Sequence, residues 1–97
     1  MGAHIVDTYM DRWAAQEGAQ SPLGVTWVEE EQAFNFALYS KHAMGVTLLL
    51  YGSDDLVNPA ARHRLNYLTN KSGRVWHCRI PVSRLRNMTY YAYQVEG

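Results

Sequence analysis

The sequence of 97 residues has a single cysteine, only three prolines and no net charge, because nine basic residues balance nine acidic ones. One cysteine, Cys78, excludes an internal disulfide framework and a zinc site built from several cysteines. A neutral chain has no net field to attract nucleic acid, anionic lipid or a highly charged substrate. We therefore expect no nucleic-acid partner, and we expect a reducing compartment.

Long apolar runs are also missing, since no stretch approaches the roughly 20 apolar residues that a membrane-spanning helix needs. The N-terminus lacks the basic flank and continuous apolar segment of a secretory signal. These absences predict a soluble, cytoplasmic protein with no membrane partner.

Catalytic patterns are equally scarce. The only dense carboxylates are residues 29–31 and 54–55, and both groups fall in predicted turns, where runs of like charge are usually solvated. Glycosidase acids must instead flank a bond and have their pKa values pushed apart by their surroundings. The four histidines are scattered, at positions 4, 42, 63 and 77, without the spacing of metal ligands. We predict no catalytic residue, no metal and no cofactor in this chain.

Apolar residues, at 47% of the chain, occur mainly in short runs. Residues 1–20 form a leader in which apolar side chains recur at helical intervals, and a short amphipathic helix and a frayed terminus remain alternatives. From Val25 onward, short runs rich in β-branched and aromatic residues predict strands. The six predicted strands are 24–29, 32–40, 45–51, 63–69, 74–81 and 88–96. This spacing, without intervening helices, predicts that residues 21–97 form an all-β, immunoglobulin-like antiparallel sandwich.

Alternation along the predicted strands assigns their faces. Phe34, Phe36 and Leu38 share one side and should face the core, as should Trp76 with its alternate neighbours in the fifth strand. The third strand, residues 46–51, is apolar on both sides, although one face of an antiparallel sandwich strand normally meets solvent. Something should therefore cover its second face, either the N-terminal leader or another domain. Leu49 and Tyr51 are the candidate residues of a domain interface.

Aromatic residues make up 12% of the chain. Sugars present flat C–H faces and many hydroxyls, and Tyr and Trp suit them because each has an apolar body and a polar tip. The same residues also build sandwich cores, so surface contact and packing remain open for each of them. The candidate carbohydrate-binding residues are Trp27, Tyr39, Tyr51, Tyr67 and Tyr90.

Four separated motifs together resemble one family. They are residues 22–27 (PLGVTW), 33–43 (AFNFALYSKHA), 70–77 (NKSGRVWH) and 91–97 (YAYQVEG), and residues 46–51 resemble the strand that follows the second motif. The pattern is similar to carbohydrate-binding module family 48, an early-set β-sandwich at the N-terminus of isoamylases and glycogen debranching enzymes.

The resemblance implies a noncatalytic module that precedes a (β/α)8 barrel of glycoside hydrolase family 13. In such enzymes the barrel hydrolyses α-1,6 branch points, so the parent protein would be a hydrolase. The implied partners are that catalytic barrel, against which the module packs, and glycogen or another α-glucan, which it helps to position.

One departure keeps an alternative open. The better-established glycogen binders of this superfamily, the regulatory β subunits of a kinase, carry a tryptophan after the third strand, whereas the corresponding residues here, 52–56 (GSDDL), include no aromatic. The alternative is a purely structural or protein-interaction sandwich without affinity for sugar.

Overall fold

The computed structural model describes residues 17–97, so most of the leader, and with it the predicted helix, lies outside the described residues. Two single 3-10 turns, Glu29–Glu31 and Val82–Arg84, follow the first and sixth strands. The strands are β1 (Gly24–Val28), β2 (Ala33–Tyr39), β3 (Gly45–Gly52), β4 (Ala61–Arg64), β5 (Lys71–Ser72), β6 (Val75–Pro81) and β7 (Met88–Glu96).

These strands form two antiparallel sheets. Sheet A has the order β1-β2-β6-β5, and sheet B has the order β4-β3-β7. The chain crosses from sheet A to sheet B after β2, returns after β4 and crosses again after β6. The predicted antiparallel β-sandwich is thus confirmed.

The core lies between the sheets and follows the alternation of the strands. Trp76 is 1% exposed, and Val46 and Leu48 are fully buried opposite it in sheet B. Burying one such side chain contributes about 1.5–3 kcal/mol. The predicted inward positions of β2 and β6 are confirmed, since the core cluster or its partly buried rim includes Phe34, Phe36, Leu38, Trp76, Cys78 and Ile80.

The predicted fourth strand at residues 63–69 is wrong in its extent, because β4 ends at Arg64. Asn66 starts a turn: its side-chain oxygen accepts from the N–H of Leu68, and its carbonyl accepts from the N–H groups of Thr69 and Asn70. A side-chain amide that bonds the local backbone competes with a strand ladder in this way. The sequence still delivers one core residue just after the strand, since Leu65 is buried.

A tight hairpin turn joins β5 to β6. Ser72 pairs with Val75, so the two turn residues are Gly73 and Arg74. Gly73 has φ 62°, a left-handed conformation that glycine adopts without a steric cost. The glycine therefore places the turn, and the short β5 becomes the edge of sheet A.

Residues 17–19, here called the strap, lie on the outer face of sheet A. The Asn35 side chain in β2 hydrogen-bonds both the N–H and the carbonyl of Ala19, and the His77 ring in β6 bonds the carbonyl of Glu17. The described part of the leader thus covers sheet A and not the second face of β3, which lies on sheet B. The expectation that the leader covers β3 is wrong for these residues.

An ion pair covers one end of the second face of β3. Arg64 on β4 and Glu96 on β7 flank β3, and their side chains meet at 2.6 Å. They pass directly over Gly45, where an added Cβ would come within 2.5 Å of an Arg64 nitrogen. Leu49 and Tyr51 lie farther along the strand, beyond this bridge, and both are only half-buried.

Candidate functional site

The two acidic clusters lie in a turn and in a loop. Glu29–Glu31 form a 3-10 turn in which no residue is buried. In the loop after β3, the Asp55 carboxylate accepts hydrogen bonds from the N–H groups of Asn58 and Val57, and these bonds lower its pKa. Within residues 17–97, no three His, Cys, Asp or Glu side chains lie close enough to hold a metal ion.

The single cysteine is unsuited to nucleophilic chemistry. Cys78 faces the core and is 5% exposed. Burial raises the pKa of its thiol to about 12, so the reactive thiolate is almost absent at neutral pH. Among the described helices, none is long and apolar enough to cross a bilayer.

The five candidate carbohydrate-binding residues do not form one cluster. Tyr39 lies at the end of β2 on the outer side of sheet A, and Tyr67 lies in the loop after β4. Trp27 lies in the edge strand β1 on the core-facing side, with its ring centroid 4.9 Å from that of Phe34. Tyr51 and Tyr90 are direct cross-strand partners. The fold therefore brings together two of the five.

Tyr51 and Tyr90 belong to an exposed surface that we call the tyrosine face. It is the outer side of sheet B and consists of Leu49, Tyr51, Arg62, Tyr90 and Ala92, placed side by side by the register of β4, β3 and β7. Tyr90 is 53% exposed. Directly opposite residues have Cβ atoms about 5 Å apart, so the register places the two tyrosines side by side on this face. Both candidate interface residues, Leu49 and Tyr51, lie on this same face.

This surface has the chemistry that a neutral sugar or a protein surface requires. The tyrosine rings offer apolar area with a hydroxyl at the rim, and Arg62 offers several N–H donors beside them. The Arg64–Glu96 ion pair borders the face, and in it each charge is matched by its partner. This pairing lowers the pKa of Glu96.

An apolar cleft opens next to the tyrosine face, between β1 and β2 of sheet A and β3 and β7 of sheet B. Its volume is about 400 Å³. Trp27 adjoins it through Phe34, and Tyr90 belongs to both the cleft and the tyrosine face. The lining residues are Val25, Phe34, Phe36, Leu50, Leu85, Met88, Thr89, Tyr90 and Tyr91. Few of them carry polar groups, so the cleft suits apolar side chains better than sugar hydroxyls.

A polar network on sheet A was missed by sequence reasoning. Asn35 and His77 are 2% and 4% exposed although their positions point away from the core. Arg79 donates to the side-chain oxygen of Asn35 at 3.2 Å and to Glu31 at 2.8 Å. The only local signal is Asn35 between two phenylalanines in the strand. This pattern does not reveal the burial, because an outward polar residue in a strand is ordinarily solvated.

Comparison with known proteins gives relatives of one kind. Isoamylase 1 of Oryza sativa subsp. japonica is 37% identical over 82 residues, which cover 82% of this chain and 10% of the relative. Isoamylase SU1 of Zea mays is 34% identical over 82 residues, again covering 82% of this chain and 10% of the relative. Both relatives are described as chloroplastic. The chain thus spans about a tenth of the length of these curated relatives.

Solved structures share the fold. The catalytic module of the pneumococcal glycogen-degrading virulence factor SpuA superposes with a TM-score of 0.60 at 20% identity, over 89% of this chain and 12% of that one. The Group B Streptococcus pullulanase SAP, in complex with maltotetraose, gives a TM-score of 0.60 at 21% identity, over 87% of this chain and 11% of that one.

A family model covers almost the whole sandwich. The model of carbohydrate-binding module 48, the isoamylase N-terminal domain, matches residues 22–97. The match begins just after the strap and includes every described strand. The chain therefore belongs to the carbohydrate-binding module 48 family of isoamylase N-terminal domains.

Proposed function

We propose that this chain is the noncatalytic N-terminal module of a debranching-type glycoside hydrolase and that its tyrosine face contacts branched α-glucan. The observation that carries this proposal is the cross-strand pair of Tyr51 and Tyr90 on the outer side of sheet B. The half-buried ring of Tyr51 and the exposed ring of Tyr90 offer stacking area to successive glucose units, and Arg62 and the two phenolic hydroxyls provide hydrogen-bonding groups at their edges.

The catalytic step belongs to another domain in this proposal. Within the described residues the two acidic clusters lie in turns and the buried thiol is protonated, so in this proposal the chain supplies a binding surface and no reacting group. The family membership and the share of each isoamylase that the chain covers support a parent enzyme with a separate catalytic domain. An antibody to this chain should detect, in cells of its source, a protein far larger than 97 residues.

Titration of the isotope-labelled 97-residue chain with maltoheptaose tests the glucan contact. We expect saturable amide shifts at Tyr51, Tyr90 and their strand neighbours. Tyr51→Ala or Tyr90→Ala should weaken binding about tenfold, which corresponds to 1.4 kcal/mol. The matched control is Tyr67→Ala, because Tyr67 is 66% exposed but follows β4 at the other end of sheet B. Equal losses in all three variants, or no shifts at millimolar sugar, would refute glucan binding at this face.

A second function, protein interaction without sugar affinity, is favoured by the apolar cleft. Its lining is almost wholly apolar, and Val25 and Tyr91 remain 39% and 45% exposed there. In this alternative the cleft and the adjoining Leu49 and Tyr51 pack against the catalytic domain of the parent enzyme. Two results together would support the alternative. The parent enzyme carrying Val25→Glu would lose thermal stability, and maltoheptaose would cause no amide shifts in the isolated chain. A Val25→Glu parent as stable as the unaltered enzyme would count against it.

A further inference from the structure

The side chain of Asn35 hydrogen-bonds the backbone of the strap in the way that a neighbouring strand would. Its oxygen accepts from the N–H of Ala19 at 2.7 Å, and its nitrogen donates to the carbonyl of the same residue at 2.9 Å. The orientation of this amide is fixed independently, because Arg79 can only donate and its Nε lies 3.2 Å from the Asn35 oxygen. Asn35 thus satisfies both backbone groups of one residue, as a β-ladder partner does.

His77 holds the strap at a second point. Its Nδ1 lies 2.6 Å from the carbonyl oxygen of Glu17, which can only accept, so this nitrogen carries a proton. The other ring nitrogen lies 2.8 Å from the Ser72 hydroxyl in β5, which fixes the plane of the ring. Both anchors are buried, so leaving either one unpaired would cost a buried polar group its hydrogen bond with no water to replace it.

Gly18, between the two anchored residues, lies directly on the backbone of β6. A Cβ at this position would come within 2.6 Å of the Cys78 carbonyl carbon and 2.7 Å of the Asn35 side-chain oxygen. Gly18 also has φ 77°, in the left-handed region. The surface therefore accepts a backbone only where the middle residue is glycine.

From these contacts we infer that the outer face of sheet A is a peptide-binding site whose ligand is the strap of this same chain. Asn35 and His77 bind main-chain groups of the strap. The close approach of the strap to β6 excludes any residue with a Cβ atom at position 18. It needs no contact from the side chain of Ala19. This binding attaches the leader to sheet A and is independent of any glucan contact on sheet B.

Amide hydrogen exchange of the full chain tests the close approach. Gly18→Ala should accelerate exchange of the Ala19 N–H by about tenfold or more, because the strap must lift away from β6. Gly73→Ala is the matched control: Gly73 also has a positive φ, 62°, but an added Cβ there meets no atom within 4 Å. The control should leave Ala19 exchange unchanged. Equal acceleration in the two variants would overturn the inference.

A peptide added in trans tests recognition itself. The full-length Gly18→Ala chain, with its own strap released, should bind a synthetic peptide of residues 14–23 that retains glycine, and the side-chain amide signals of Asn35 should shift. The same peptide with alanine at position 18 should not bind. The proposal is overturned if both peptides shift these signals equally. It is also overturned if neither peptide shifts them at millimolar concentration, which is the effective concentration that a short flexible linker gives to an attached segment. Since no sugar is present, glucan titration results do not affect either outcome.

Discussion

Replacing Trp76 by alanine should remove a large part of the stability of this domain. A tryptophan side chain buries about 150–250 Å² of surface, and at about 25 cal/mol per Å² this corresponds to roughly 4–6 kcal/mol of transfer free energy. Trp76 is 1% exposed, so almost all of that area is buried. Measured Trp→Ala costs in cores are about 3–5 kcal/mol, whereas a small domain has about 5–15 kcal/mol in total.

Urea denaturation followed by far-ultraviolet circular dichroism measures this loss. Because the slope is about 1–3 kcal/mol per molar urea for small proteins, the midpoint should fall by about 1 M or more. Trp27→Ala is the matched control: Trp27 is 40% exposed at the edge of sheet A, and its removal leaves an open site instead of a closed cavity. We expect it to cost about half as much. If Trp27→Ala were the more costly of the two, the assignment of Trp76 to the core would be refuted.

Three further predictions concern titratable groups. Burial, reinforced by the charge of Arg84, lowers the pKa of His63 below 6.5. The unfolded chain therefore binds a proton more readily, and the free energy of unfolding should decrease as pH falls through 6.5. In a series of urea denaturations at different pH values, His63→Gln should flatten this part of the curve. Burial raises the pKa of Cys78 to about 12, so iodoacetamide at pH 8 should label the folded chain far more slowly than the urea-unfolded chain, and equal rates would contradict the buried position. Hydrogen bonds from Asn58 and Val57 lower the pKa of Asp55, so its contribution to stability is present above pH 3.8 and is lost as pH falls further. Nuclear magnetic resonance titration of its carboxyl carbon should show a midpoint below 3.8, and a midpoint above 3.8 would contradict the loop geometry.

Local patterns predicted most of the fold. Alternation placed Phe36 and Trp76 in the core, and both are buried. The turn before β6 also reflects a local residue preference, since Gly73 has φ 62°, which glycine adopts without steric cost. These features depend on neighbours in the sequence, which is why the sequence reveals them. The overlong fourth strand shows the limit: Tyr67, Leu68 and Thr69 favour a strand by residue type, but Asn66 bonds the backbone of its own turn.

The candidate sites depend on contacts between distant parts of the chain. Nothing near Tyr51 shows that Tyr90 lies opposite it, because the register of β3 and β7 is set only when the sandwich forms. Asn35 was assigned to an outward face, and alternation alone equates outward with solvated. Its burial results from residues 17–19, whose attachment depends on Asn35, His77 and a glycine that share no local pattern.

The attachment of the strap has a practical use in immobilisation. Because His77 holds Glu17 on the outer side of sheet A, the strap lies on the side of the sandwich opposite the tyrosine face. A biotin attached next to the strap, at the exposed Gln20, should therefore orient the domain on a sensor surface with Tyr51 and Tyr90 toward the solution. A tag at the end of β7 would instead sit beside Glu96, on the sheet that carries the tyrosine face.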